Sequence, residues 1–174
     1  MGPSSSPGPG VWIGKSFRAL YPIRGVGSRG MKEQAKLTVE ELERLLSAEF
    51  PQMFHPESGY GIEEVWFGGS RIRKHFNPRS LRPGGTIAGT TMMTLADFAP
   101  YVAILASIGW VPLAVTTNLT INFLKRPPAR DLFAEARLIK LGKRLAVAEI
   151  GIRSEGEDDL VAHATSTYSI PAER

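Results

Sequence analysis

The sequence predicts an α+β fold in which an antiparallel sheet curls around one long apolar helix. Two observations carry that expectation. Residues 90–108 are a run of helix formers whose apolar side chains surround nearly the whole circumference, so something must enclose them. The chain that follows alternates apolar with polar residues at a period of two, broken by turn-forming segments, which is the pattern of successive half-buried strands.

Taken in order, Thr38-Val39-Glu40-Glu41 has the form of a capping box, with the Thr38 hydroxyl and the Glu41 carboxylate satisfying each other's terminal amides. A short amphipathic helix is expected there, apolar on Leu42, Leu45 and Leu46 and ended by Pro51. Residues 62–67 and 71–73 read as a hairpin around Gly68-Gly69. The glycine-rich approach Arg82-Pro83-Gly84-Gly85-Thr86-Ile87-Ala88-Gly89 leads into the long helix, which Pro100 should kink about one turn after Asp97. Strands are then expected with Leu113, Val115, Thr117, Leu119, Ile121 and Phe123 on one face, followed by Leu132, Ala134, Ala136 and Leu138. Leu145, Val147 and Glu149 repeat the pattern less cleanly, and Leu160, Ala162 and Ala164 close it. Pro127-Pro128, Leu141-Gly142 and residues 155–158 supply the turns, so sequential antiparallel order is expected.

Composition narrows the function. The 174 residues, 43% apolar, suit one domain over residues 31–174, preceded by a disordered or leader segment of residues 1–30 that is Gly/Pro/Ser-rich, basic and free of acids. The net charge of +4 suggests a nucleic-acid binder only until it is located. Lys15, Arg18, Arg24 and Arg29 lie in the leader, and removing these four from 21 basic residues leaves 17 against 17 acidic ones. A neutral body lacks the concentrated basic surface that nucleic acid requires. With no cysteine and three histidines at non-ligating spacings, neither a metal nor another cofactor is expected. The longest charge-free stretch, residues 98–124, is long enough to span a membrane. It is broken at Gly109-Trp110-Val111-Pro112, and it ends in a two-residue period with Thr116, Asn118, Thr120 and Asn122 on one face. That stretch therefore reads as helix, turn and strand, with no membrane partner. The expected location is cytoplasmic.

Asp97 is the single charge in the long helix. A carboxylate out of water needs donors or a changed proton affinity, and one at a pocket lip can act as general base or nucleophile; spacing alone equally allows it to face solvent or cap a strand. Residues 85–90 offer unpaired helix-start amides that attract developing negative charge, although a glycine-rich entry also serves simply to turn the chain.

The segment from Arg82 to Asp97 resembles the signature of the phenylacetate-pathway (PaaI-like) hot-dog thioesterases, in which Asn-x-x-Gly-x-x-His-Gly-Gly leads into a helix bearing a catalytic Asp. The likeness covers residues 62–171 and continues in the strand around Thr116 and in Gly142-Lys143-Arg144-Leu145-Ala146 and Leu160-Val161-Ala162-His163-Ala164-Thr165. It implies a hot-dog fold and hydrolysis of a small or medium acyl-CoA to free acid and CoA. Asp97 would be base or nucleophile, the Gly89 amide would polarise the thioester carbonyl, and Thr116 would orient the attacking water. Arg82, Gly85 and Thr90 would line the substrate, with Arg126, Arg130, Lys143 and Arg144 as candidates for the CoA phosphates. The resemblance further implies an active site across a subunit interface, in a homodimer or a tetramer built as a dimer of dimers. Two departures stand out: Arg82 replaces the family Asn, and Ala88 replaces the His. They make a catalytically weak acyl-CoA-binding protein the first alternative. A hydroxyacyl dehydratase is the second, since His75-Phe76-Asn77-Pro78-Arg79 followed by Pro83-Gly84 resembles that signature, but Gly89 stands where its acid belongs.

Overall fold

In the computed structural model, which describes residues 34–172, the first element is helix α1 (Val39–Glu49). The leader expected over residues 1–30 lies outside the described residues. Both halves of the capping box form: the Glu41 amide donates to Thr38 Oγ1 at 3.3 Å, and the Thr38 amide donates to Glu41 Oε2 at 2.9 Å. Leu42 and Leu46 are wholly buried against the core, each contributing about 1.5–3 kcal/mol of transfer free energy.

The hairpin follows as β1 (Tyr60–Trp66) and β2 (Gly69–Lys74). Two residues each of β3 (Leu81–Arg82) and β4 (Thr86–Ile87) pair across the Pro83-Gly84-Gly85 turn. Helix α2 (Gly89–Ile108) then runs through Pro100, with 13 of its 20 residues buried. It is apolar and long enough to cross a membrane, yet 72% of its most apolar window is enclosed by protein. Polar side chains anchor its C-terminal half: Ser70 Oγ donates to the Ala99 carbonyl at 2.7 Å, and Ser107 Oγ accepts the Gly68 amide at 2.9 Å.

The sheet is completed by β5 (Val115–Phe123), β6 (Leu132–Leu141), β7 (Leu145–Ser154) and β8 (Leu160–Ser169). Six strands pair antiparallel in the order β1-β2-β6-β7-β8-β5 and wrap α2, which bears out the expected α+β hot-dog architecture. Three details differ from the sequence reading. Strand order is not sequential: β6, β7 and β8 form a meander, but β5 pairs with β8 and ends as an edge. The connection from β5 to β6 spans residues 124–131 and includes Pro127-Pro128, longer than the short loops that join adjacent hairpin strands. Next, β7 buries Ala146, Ala148, Ile150 and Ile152, the opposite face from Leu145, Val147 and Glu149. Its small residues, with Ala134, Ala136, Ala162 and Ala164, leave room for the bulky side chains of α2. Finally, β5 carries a bulge between Thr116 and Asn118, with consequences for the site.

Candidate active site

Strict alternation would put Thr116 on the face of Asn118, Thr120 and Asn122. The bulge prevents this. Thr116 pairs with Tyr168 and Asn118 with Thr167, so one extra residue on β5 brings Thr116 onto the same inward face as Leu119, Ile121 and Phe123. Ala146, Tyr168 and Thr116 thus form one row across β7, β8 and β5, facing the middle of α2.

Asp97 lies opposite that row. Thr116 Oγ1 donates to Asp97 Oδ1 at 2.5 Å, and the Tyr168 hydroxyl stands 2.5 Å from the Asp97 main-chain carbonyl and 3.1 Å from the same Oδ1. Both donors serve Oδ1; Oδ2 has no hydrogen-bond partner among the described residues. The carboxylate is half-buried and lines a cavity of about 360 Å³ walled by Phe50, Tyr101, Trp110 and Tyr168, with Glu49 at its lip. Tyr101 and Tyr168 stack with ring centroids 6.4 Å apart, and Tyr101 donates to the Pro112 carbonyl at 3.1 Å. Burial, and then the Asp97 charge, push the Tyr168 hydroxyl far above the ordinary phenol range, so it remains a donor at neutral pH. Tyr101 and Trp110 line this cavity, whereas Met92 is buried in the core and Met93 is 44% exposed on α2.

Gly89 begins α2, with Ala88 as N-cap, so its amide has no partner within the helix. A β-carbon at position 89 would sit 3.2 Å from Phe123 Cζ, so glycine permits the close approach of that ring. Gly89 and Asp97 are eight residues apart on one helix, a rise of about 12 Å. A single thioester carbonyl therefore does not reach both within one chain.

The other predicted residues divide between the two ends of the molecule. Arg82 and Gly85 are exposed in the β3–β4 hairpin, and Thr90 is exposed on the first turn of α2. The Ile87 amide donates to the Pro127 carbonyl at 3.2 Å, which places this hairpin beside the β5–β6 connection carrying Arg126 and Arg130. Lys143 and Arg144 lie at the far end of the ten-residue β6, about 30 Å away. There the Arg144 carbonyl accepts the Ile170 amide at 3.0 Å, two residues beyond Tyr168. The four basic candidates thus form two pairs, one at the Gly89 end and one at the Asp97 end. His75 is a strand-end residue whose Nδ1 is 2.9 Å from Asp131 Oδ2, remote from Asp97. Among the described residues no cluster of His, Cys, Asp or Glu is arranged to hold a metal ion.

Tyr168 is the residue the sequence reading missed. Its signal was present: it shares the inward period of Ala162, Ala164 and Ser166, and a buried phenol requires a hydrogen-bond partner.

Comparison with known proteins bears on the fold and the family. A family model described as thioesterase superfamily matches residues 84–161. A protein of Saccharolobus solfataricus named a "putative esterase" is 33% identical over 134 residues, covering 77% of this chain and 86% of the relative. The crystal structure of a "putative thioesterase" from Silicibacter sp. TM1040 is 40% identical, with a TM-score of 0.72 over 80% of this chain and 96% of that one. A mutant of the phenylacetic acid degradation protein PaaI from Thermus thermophilus shares the fold, at 24% identity and a TM-score of 0.60 over 70% and 99% of the two chains. The hot-dog architecture, the matched family segment running from the glycine-rich turn into β8, and the curated relative together establish that this chain belongs to the thioesterase superfamily, as a thioester hydrolase.

Proposed function

We propose that the protein hydrolyses acyl-CoA thioesters in a site shared by two copies of the chain. The observation that carries this reading is the Asp97 carboxylate, held through Oδ1 by Thr116 and Tyr168 and left with Oδ2 unpartnered at a cavity wall. In the reaction, Oδ2 accepts a proton from water as the water attacks the thioester carbon. The oxyanion forms against the Gly89 amide, and collapse of the tetrahedral intermediate expels CoA thiolate, which recovers the proton. Direct attack by Oδ2, followed by hydrolysis of the anhydride, uses the same geometry. Thr116, with its proton committed to Oδ1, orients the carboxylate and acts on the water only through it.

The distance between Gly89 and Asp97 and the state of β5 support a shared site. That strand is an edge, and Val115 and Phe123 at its ends are 56% and 51% exposed, with Leu113 and Leu124 beyond them at 73% and 58%. Such an edge calls for a cover. A second copy paired antiparallel along β5 supplies one. Thr116, beside Asp97, is near the start of β5, and Phe123, beside Gly89, is at its end. Antiparallel pairing therefore sets the Asp97 of one protomer opposite the Gly89 of the other. The same pairing moves Lys143 and Arg144 of one copy toward Arg126 and Arg130 of the other, a basic rim suited to CoA phosphates.

A thiol-release screen over short, medium and aryl acyl-CoAs, with Asp97→Ala as control, tests the reading. Release that the substitution abolishes supports it. Tight acyl-CoA binding with a background rate that Asp97→Ala leaves unchanged would instead favour the non-hydrolytic binder that Arg82 and Ala88 suggest.

A further inference from the structure

Tyr168 makes a contact that a wall residue would not need. Its ring is buried on β8, in register with Thr116 on one side and Ala146 on the other, and its hydroxyl reaches both the main chain and the side chain of Asp97. The turn it touches is a weakened one. Pro100 has no amide hydrogen, so the Ala96 carbonyl lacks its helical donor, and the proline ring crowds that same turn. Just beside this defect, the Tyr168 hydroxyl caps the Asp97 carbonyl at 2.5 Å. With Thr116 on Oδ1, residue 97 is held at its backbone and at one carboxylate oxygen, which restricts how the carboxylate can turn at the cavity it lines.

We infer that Tyr168 is a positioning residue for thioester hydrolysis, holding the Pro100-weakened turn of α2 and the Asp97 carboxylate in the reactive orientation. The inference rests on the reading of Asp97 as the reacting carboxylate. It predicts a defect in turnover without one in binding, transmitted solely through Asp97.

Tyr168→Phe is the test, because the retained ring still stacks on Tyr101. Loss of a hydrogen bond to a charged group should lower kcat roughly ten- to a hundredfold, with KM within about twofold of the parent. In an Asp97→Asn background the same change should alter the residual rate by less than about twofold, since effects transmitted through one residue are not additive. Tyr168→Phe with parental kcat, while Asp97→Asn is inactive, would overturn the positioning role and leave the Asp97 reading standing. Equal loss in both backgrounds would overturn it too, showing that the hydroxyl acts by a route other than Asp97. Asp97→Asn at the parental rate would remove the carboxylate reading itself, and this inference with it.

Discussion

In the proposed reaction the thioester carbonyl sits between the Gly89 amide and the Asp97 carboxylate, which stand about 12 Å apart along one helix, so the proposal requires the two residues to come from different copies. This can be tested by complementation. Gly89→Pro removes the amide with little disturbance: the position is the first of the helix, where proline is favoured, and Ala88 already has the extended conformation that precedes proline (φ −67°, ψ 145°). The new ring meets the far end of the Phe123 side chain, which must yield by a few tenths of an ångström. Loss of one oxyanion donor should reduce kcat by about 10²–10³. Asp97→Asn keeps an oxygen for Thr116 and Tyr168 but removes the base, a loss of about 10²–10⁴. Each variant alone is then nearly inactive. Mixed in equal amounts, unfolded and refolded together, half of the dimers pair one chain of each kind, and every such dimer contains one intact site and one doubly defective site. Recovered activity should approach about a quarter of the unmutated protein's, as two-fold symmetry dictates. Thiol release after co-refolding measures it, with each variant refolded alone as control. A mixture no more active than the sum of its parts would refute the shared site.

Other outcomes follow from the same structure. Thr116→Val should lower kcat by roughly tenfold or more with little change in KM, since a hydrogen bond to a charged oxygen is lost while the side chain keeps its shape; steady-state kinetics decides it. Ala148→Leu should destabilise the fold by about 1–3 kcal/mol, read as a fall in Tm, because this wholly enclosed residue faces α2 with no space to spare. Asp131 links strand ends: burial raises its pKa, but the Phe76 amide, Arg73 and His75 outweigh this and hold it below the ordinary carboxylate value. Its contribution to stability is complete above the unfolded value near about 3.9 and is lost as pH falls through the lower folded value. Asp131→Asn should thus lower Tm at pH 7 and narrow its difference from the parent below about pH 3, followed by thermal melts across pH.

Much of this molecule was legible in local pattern. The capping box of α1, the enclosed helix, the inward faces of β6 and β8, and the isolated carboxylate at position 97 all follow from rules that act over a few residues: cap chemistry, side-chain period and the cost of a buried charge. Those rules do not fix which strands become neighbours, so the placement of β5 beside β8 had to come from the folded chain. They also miss a bulge. One extra residue on β5 reversed Thr116 from the polar face to the core face and put its hydroxyl on Asp97, while strict alternation assigns it to solvent. Tyr168 joined them because strand register, set by pairing across about 50 residues of chain, aligned it with Thr116. The sequence by itself determined the helix, its lone acid and the sheet that encloses them. Tertiary structure alone decided which hydroxyls meet that acid, because side-chain direction in a sheet depends on register and bulges, and these minimise the energy of the whole sheet and not of any one strand.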